Sequence, residues 1–258
     1  MAGKTHFEEE VFMRYLLISD IHANLAAFEA VLDDAEGHYD KVWCLGDMVG
    51  YGPDPNECVE LLLTFDHLCI AGNHDWAVLG KLDVDDFNPD ARFASLWTRE
   101  QLTDNVREYL EALPVALVEE EIYTLVHGSP RHPIWEYILY PAVAQPNFKH
   151  FNTPYCFVGH THSPVIFQES EEAGQICDEL KPSFNEEAFF LGEQRVIINP
   201  GSVGQPRDGD ARAAYGILDI ETNTFEHRRV TYPVSETQEK MKEHNFPARL
   251  WNRLAFGW

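Results

Sequence analysis

Positive charge is scarce in this chain. Lysine and arginine number 19 against 43 aspartates and glutamates, a formal net charge of −24 over 258 residues. A basic surface able to neutralise nucleic-acid phosphates is therefore not expected, nor is stable nucleic-acid binding. Long apolar runs are missing too. None approaches the roughly 18 residues that mark a membrane-spanning helix, so no membrane segment is expected. No CxxC occurs, and the five cysteines (Cys44, Cys58, Cys69, Cys156, Cys177) are scattered and odd in number. They read as reduced, buried thiols of a cytoplasmic protein. Glu8, Glu9 and Glu10 stand where an export signal would need its apolar core, so export is not expected. Repeats, low-complexity tracts and linkers are absent. The chain reads as one domain over residues 1–258, with 45% hydrophobic residues to build a sizeable core.

What the chain does contain is a series of short apolar runs, each stopping at polar residues. After a polar extension over residues 1–13, Tyr15 to Ile18 reads as a strand buried on both faces and stops at Ser19-Asp20-Ile21-His22. Asn24 is placed to cap a helix over 25–35, with Phe28, Val31 and Leu32 on one face, and Gly37 ends it. A second strand, 41–45, enters a breaker-rich loop, Gly46-Asp47-Met48-Val49-Gly50-Tyr51-Gly52-Pro53. A helix over about 56–65 follows. A third strand, 67–71, ends in Gly72-Asn73-His74-Asp75. Strands alternating with helices predict an α/β layered architecture. Residues 76–113 read as an acidic, helical, cap-like insertion. A strand over 122–126 ends at His127-Gly128-Ser129, and one over 155–158 ends at Gly159-His160-Thr161-His162. Residues 168–187 read as an acidic surface loop. Val196 to Ile198 leads into Asn199-Pro200-Gly201-Ser202-Val203-Gly204-Gln205-Pro206-Arg207. Strands over 214–220 and 224–232 follow, then a helical segment over 233–258 broken by Pro247.

Five of these runs end in metal-ligand residue types: Asp20 with His22, Asp47, Asn73 with His74, His127, and His160 with His162. Loops that follow the strands of an α/β sheet converge at one edge, where such folds bind their ligands. The set mixes oxygen and nitrogen donors without sulfur. It suits Mn²⁺, Fe, Zn²⁺, Co²⁺ or Ni²⁺ better than Ca²⁺. Seven ligands exceed the needs of one ion and suffice for two if one carboxylate bridges. Two divalent ions about 3.5–4 Å apart acidify a shared water and clamp phosphoryl oxygens. They would also supply the positive charge that an acidic chain lacks for an anionic substrate.

In order and type, Asp20-x-His22, Gly46-Asp47, Gly72-Asn73-His74-Asp75, His127 and Gly159-His160-x-His162 resemble the signature of the calcineurin-like metallophosphoesterases. The resemblance is closest to the small bacterial and archaeal phosphodiesterase branch, which includes diadenosine tetraphosphatase-like enzymes. It implies an α/β (α+β) fold of four layers, αββα, with two mixed β-sheets packed as a sandwich and flanked by helices. The strands after Val196 would then build the second sheet. It implies that Asp20, His22 and His162 hold one ion, that Asn73, His127 and His160 hold a second, and that Asp47 bridges both. Mn²⁺ leads among the metals. His74 matches the catalytic histidine, and Asp75 would orient its imidazole. The implied activity is hydrolysis of phosphodiesters or small phosphate esters, with nucleotides such as diadenosine polyphosphates as leading substrates.

Two departures from the family pattern stand out. Protein phosphatases of this superfamily carry a phosphate-binding arginine after the Gly-Asp motif, and Gly50-Tyr51-Gly52 occupies that place here. This weighs against a Ser/Thr protein phosphatase. A catalytically silent scaffold is the other alternative, but every expected ligand type is present. Ala23 stands where the branch commonly has glycine. Arg207 can bind phosphate or form an ion pair that holds its loop, and Arg131 can line the pocket or sit on the surface. Asn199 and Gly201 read as turn formers. Trp135, Tyr137 and Tyr140 read first as core residues, with nucleobase stacking as the alternative.

Overall fold

A computed structural model describes residues 13–172, 174–182 and 188–258. The expected polar extension, Met13 apart, lies outside the described residues. In chain order the first half builds β1 (Arg14–Ile18), α1 (Leu25–Asp34), β2 (Lys41–Cys44), α2 (Pro55–Leu62), β3 (His67–Cys69) and α3 (Asn73–Val78). Then come a 3₁₀ turn at Val84–Asp86, α4 (Pro89–Gln101) and α5 (Asp104–Ala112). The middle holds β4 (Ala116–Glu119), β5 (Tyr123–Val126), α6 (Pro141–Asn147), β6 (Tyr155–Phe157), β7 (Val165–Gln168), β8 (Asp178–Leu180) and β9 (Phe189–Phe190). The chain closes with β10 (Val196–Asn199), β11 (Ala213–Asp219), β12 (Thr224–Val230), α7 (Val234–Glu243) and α8 (Ala248–Arg253).

Two mixed six-stranded sheets result, ordered β3-β2-β1-β11-β12-β9 and β4-β5-β6-β10-β7-β8. The apolar run of β1 is continuous because both of its faces are buried. Leu16 and Ile18 pack with Phe28, Val31 and Val59 of α1 and α2, while Tyr15 and Leu17 face Trp43, Phe157 and Ile198 between the sheets. A third apolar cluster seats Ala144 and Phe148, at α6, on the outer face of the second sheet, against Cys156, Phe167 and Ile197. Helix, sheet, sheet and helix therefore form four layers. Truncating a fully buried side chain such as Phe157 should cost about 3–5 kcal/mol. All five cysteines are free and buried. Among the described residues no helix is long and apolar enough to cross a membrane.

Local chemistry sets the helix starts. The Asn24 side chain accepts the Ala27 N–H at 3.3 Å. Asn88 caps α4 just before Pro89, and Thr103 caps α5, which splits the 76–113 segment into separate helices. The strands after Val196 do not all build the second sheet, as the resemblance implied. β10 joins it, parallel to β6, whereas β11 lies antiparallel to β1 and extends the first sheet with β12. Residues 168–187 are not wholly a loop either, since β8 pairs antiparallel with β7. Residues 173 and 183–187 lie outside the described residues.

Six strands run parallel within their sheets: β1, β2 and β3 in one, β5, β6 and β10 in the other. The loops that leave their C-terminal ends meet across the sandwich. His160 N–H donates to the Asp20 carboxylate at 3.1 Å, and Val203 N–H to the Ser19 carbonyl at 3.0 Å. Every candidate ligand lies on one of these loops or at the α3 start.

Candidate metal centre

The loops that carry the candidate ligands are conformationally strained. Of the eleven described non-glycine residues with positive φ, seven are Asp20, His22, Ala23, Asp47, Tyr51, His160 and His162, at φ 49–66°. Such backbone costs of order 1 kcal/mol or more per residue and persists where surrounding structure enforces it, commonly at functional sites. Ala23, at φ 50°, adopts the left-handed conformation that explains why glycine is common there. Close approach constrains two glycines as well. A Cβ on Gly159 would sit 1.9 Å from Ser19 Oγ, and one on Gly72 would sit 2.1 Å from Asp47 Oδ1.

Two buried groups emerge. Asp20, His22, Asp47 and His162 form one, and Asp47, His127 and His160 form the other, each with its ligand atoms within 4.8 Å of one another. Asp47 belongs to both. In the first, His22 Nε2 lies 3.0 Å from His162 Nε2, and His162 Nε2 lies 3.3 Å from Asp20 Oδ1. In the second, His127 Nε2 lies 3.2 Å from Asp47 Oδ2 and 3.1 Å from Asn73 Oδ1. The seven expected residues thus come together, with His160 and His162 in different groups.

Three imidazoles are oriented by main chain. The Nδ1 atoms of His22, His127 and His162 face the carbonyls of Val49 (3.2 Å), Leu45 (2.7 Å) and Gln205 (2.6 Å). A carbonyl can only accept, so each Nδ1 carries the proton in the neutral ring. Each Nε2 then presents a lone pair inward, the arrangement a metal ligand requires. The donor set fits divalent cations. Asp47 Oδ2 is buried with no aligned hydrogen-bond donor among the described residues.

Electrostatics agree. Burial pushes Asp20 up to about 7, with Asp47 contributing in the same direction. Burial also opposes a charge on Asp47, but His127 and His74 outweigh it and hold that carboxyl well below its ordinary range. Burial likewise disfavours a protonated His127, and Asp47 reverses this, lifting the imidazole to about 10. His22, His160 and His162 are held well below the usual imidazole range by burial. Burial lowers His74 to about 4. Three neutral imidazoles thus stand beside a protonated His127 held by Asp47, and such a site would release protons on binding cations.

His74 sits beside the first group, its ring 4.9 Å from that of His22 and its N–H donating to Asp47 Oδ1 at 2.8 Å. Its Nδ1 is buried and has no partner among the described residues. Asp75 does not reach that ring, contrary to expectation. Its carboxylate accepts the N–H groups of Asp47 and Gly72, both at 2.9 Å, and of Val49 at 3.2 Å. It binds the two ligand loops together instead. The Arg131 guanidinium is paired with Glu136. Asn199 is more than a turn former. Its Nδ2 donates to the Gly159 carbonyl (2.6 Å) and to Thr161 Oγ1 (2.9 Å), and its Oδ1 accepts Gly201 N–H at 2.8 Å. Trp135, Tyr137 and Tyr140 are not core residues: they are 42%, 43% and 64% exposed. Tyr137 stacks on His160 at 3.7 Å between ring centroids. Tyr51 was legible only as a substitution for arginine. Its ring meets His74 at 4.3 Å and His22 at 4.8 Å, and the Arg207 guanidinium lies over it.

Residues 13–223 match the model of the calcineurin-like phosphoesterase superfamily domain. The chain belongs to this superfamily. An uncharacterized protein of Methanocaldococcus jannaschii is 41% identical over 247 residues, covering 93% of this chain and 97% of that one. The crystal structure of a metallophosphoesterase from Sphaerobacter thermophilus superposes with a TM-score of 0.86 at 49% identity, over 96% of this chain and all of that one. A hypothetical protein from Pyrococcus horikoshii shares the fold, with a TM-score of 0.75 at 22% identity over 95% and 98% of the two chains. Similarity thus extends beyond the matched domain into the C-terminal helices.

Proposed function

We propose that this protein is a metal-dependent phosphoester hydrolase acting on phosphodiesters or small phosphate esters, with nucleotides such as diadenosine polyphosphates foremost. The carrying observation is the pair of buried candidate ligand groups that share Asp47 beside His74, whose Nδ1 has no hydrogen-bond partner among the described residues. Asp20, His22, His162 and Asp47 would hold one divalent ion, and Asp47, Asn73, His127 and His160 a second. The sulfur-free donor set accepts Mn²⁺, Fe, Zn²⁺, Ni²⁺ or Co²⁺, and the family resemblance puts Mn²⁺ first. Bound there, such ions supply neutralising charge for phosphoryl oxygens and acidify water.

The chain's own residues do the positioning. Val49, Leu45 and Gln205 fix three imidazoles through their carbonyls, and Asp75 fixes the loops of Asp47 and Gly72. His74 would donate a hydrogen bond to an oxygen of the ester, the role of an assisting group at the leaving oxygen. The exposed faces of Trp135 and Tyr137, next to His160, offer stacking surface to a nucleobase. Tyr51, in the place of the protein-phosphatase arginine, gives no support to phosphoprotein substrates.

The test is turnover by metal-stripped protein with and without Mn²⁺, on bis-p-nitrophenyl phosphate and a nucleotide panel. Turnover should depend on Mn²⁺ and fall about 100-fold or more in His74→Ala. No Mn²⁺-dependent turnover on any ester, or full activity in His74→Ala, would refute the proposal.

A further inference from the structure

Strand β12 changes character along its inward face. Phe225, His227 and Arg229 alternate onto that face and are all buried. Phe225 packs into the apolar layer between the sheets. His227 and Arg229 instead line a cavity of about 530 Å³, a volume within the range of small-molecule sites. Its other walls come from the second sheet, through Val165 of β7 and Glu179 of β8, and from Ile138, Leu139 and Tyr140 ahead of α6.

His227 is the group that the fold leaves unsatisfied there. It is only 7% exposed, yet neither ring nitrogen has an aligned hydrogen-bond partner among the described residues. A buried polar group without a partner is unfavourable, and native structures keep one where water or a ligand completes it. Burial, and then the Arg229 charge, lower its imidazole to about 4. At neutral pH the ring is therefore uncharged and offers one donor and one acceptor. The charges around it are already matched. Arg229 pairs with Asp208 and Asp210, and Arg212 pairs with Asp210. Glu179 and Lys181, both exposed, are opposite in sign. Such a lining suits an uncharged ligand with a flat apolar face and a hydrogen-bonding edge. Tyr140, 64% exposed, supplies an aromatic surface, and Leu139 and Pro164 add apolar ones.

The cavity also adjoins the ligand loop. Thr161, between His160 and His162, forms part of its wall, and Tyr137, stacked on His160, leads directly into Ile138. Trp135 and Tyr137 themselves do not line it, so it is separate from the exposed stacking faces beside His160.

We propose that this cavity binds a nucleoside, with the uncharged base against Tyr140 and hydrogen-bonded to His227. The site goes beyond the phosphoesterase reading, because it recognises a heterocycle rather than a phosphoryl group. The nucleoside is either part of a nucleotide substrate or a free ligand.

Titration calorimetry of the Mn²⁺-loaded full chain with adenosine, guanosine, cytidine and uridine tests the proposal, since none of these carries a phosphate for the metal centre to hold. At least one should bind. His227→Phe, which keeps a ring but removes its nitrogens, should weaken that binding about 10-fold or more, and Tyr140→Ala about 3-fold or more. Tyr140→Ala alters an exposed ring and keeps the test available should His227→Phe unfold. Turnover of bis-p-nitrophenyl phosphate distinguishes the two sources. Competitive inhibition by the same nucleoside assigns the cavity to the base of a nucleotide substrate, and binding without inhibition assigns it to a free nucleoside; either result upholds the site. No binding of any of these nucleosides, or binding that the folded variants leave unchanged, would overturn it. Lack of Mn²⁺-dependent turnover would sink the phosphoesterase reading alone, because the calorimetry still decides the cavity.

Discussion

Replacing Asn199 with alanine strikes the support of the centre without touching a ligand. Asn199 is fully buried, and its amide makes three hydrogen bonds, to the Gly159 carbonyl, Thr161 Oγ1 and Gly201 N–H. The Gly159 carbonyl keeps the Thr161 N–H, and Thr161 Oγ1 keeps the Ser163 carbonyl. The Gly201 amide is the group left without its partner. Three hydrogen bonds at about 1 kcal/mol each, plus part of the desolvation penalty of that amide, give about 3–4 kcal/mol. For a chain of this size that is roughly 10 °C in Tm. The same bonds fix the turn between His160 and His162, so Mn²⁺ affinity should fall about 10-fold or more. Equilibrium urea unfolding of the metal-free protein measures the first effect, and Mn²⁺ titration calorimetry the second. A stability loss below about 1 kcal/mol with unchanged Mn²⁺ affinity would refute the reasoning.

Three other outcomes follow from the same structure. Gly159→Ala should be strongly destabilising, because its Cβ would lie 1.9 Å from buried Ser19 Oγ; adding Ser19→Ala should restore part of the loss in a double-mutant cycle, and strict additivity would contradict the clash. His227 is lowered to about 4 by burial and then by Arg229, so the folded state refuses a proton that the unfolded chain accepts near its ordinary 6.5. Its contribution is therefore nil above about pH 6.5, and stability is lost as pH falls from there to about 4, by up to about 3 kcal/mol. His227→Gln should flatten that acid limb in urea midpoints measured from pH 7.5 to 4.5, and an identical limb would show that His227 is not its source. Arg131→Ala should leave the urea midpoint and KM close to wild type, because its ion pair with Glu136 is screened by solvent; a large rise in KM would mean that Arg131 reaches substrate.

The candidate ligands were legible in sequence because each sits at the end of a short apolar run. A parallel strand such as Tyr15 to Ile18 must be apolar on both faces, and the polar residues that stop it must gather at the sheet edge. What stayed hidden depends on contacts distant in sequence or on backbone alone. β8 is Asp-Glu-Leu, exposed throughout, and is a strand only because its main chain pairs with β7. β10 and β11 are similarly apolar, and only their pairings, Val196 with Tyr155 and Asp219 with Arg14, place them in different sheets. Asp75 and Asn199 act on main-chain groups, which leave no pattern in residue types.

The central claim is that two groups of ligands, joined through Asp47, hold two divalent ions. Metal content of Mn²⁺-reconstituted, dialysed protein tests it most directly, by elemental analysis of wild type, His127→Ala and Asp47→Ala. The account predicts two ions per chain in wild type, one in His127→Ala, and loss from both groups in Asp47→Ala. Wild-type protein that retains no ion, or a His127→Ala variant that retains both, would contradict it.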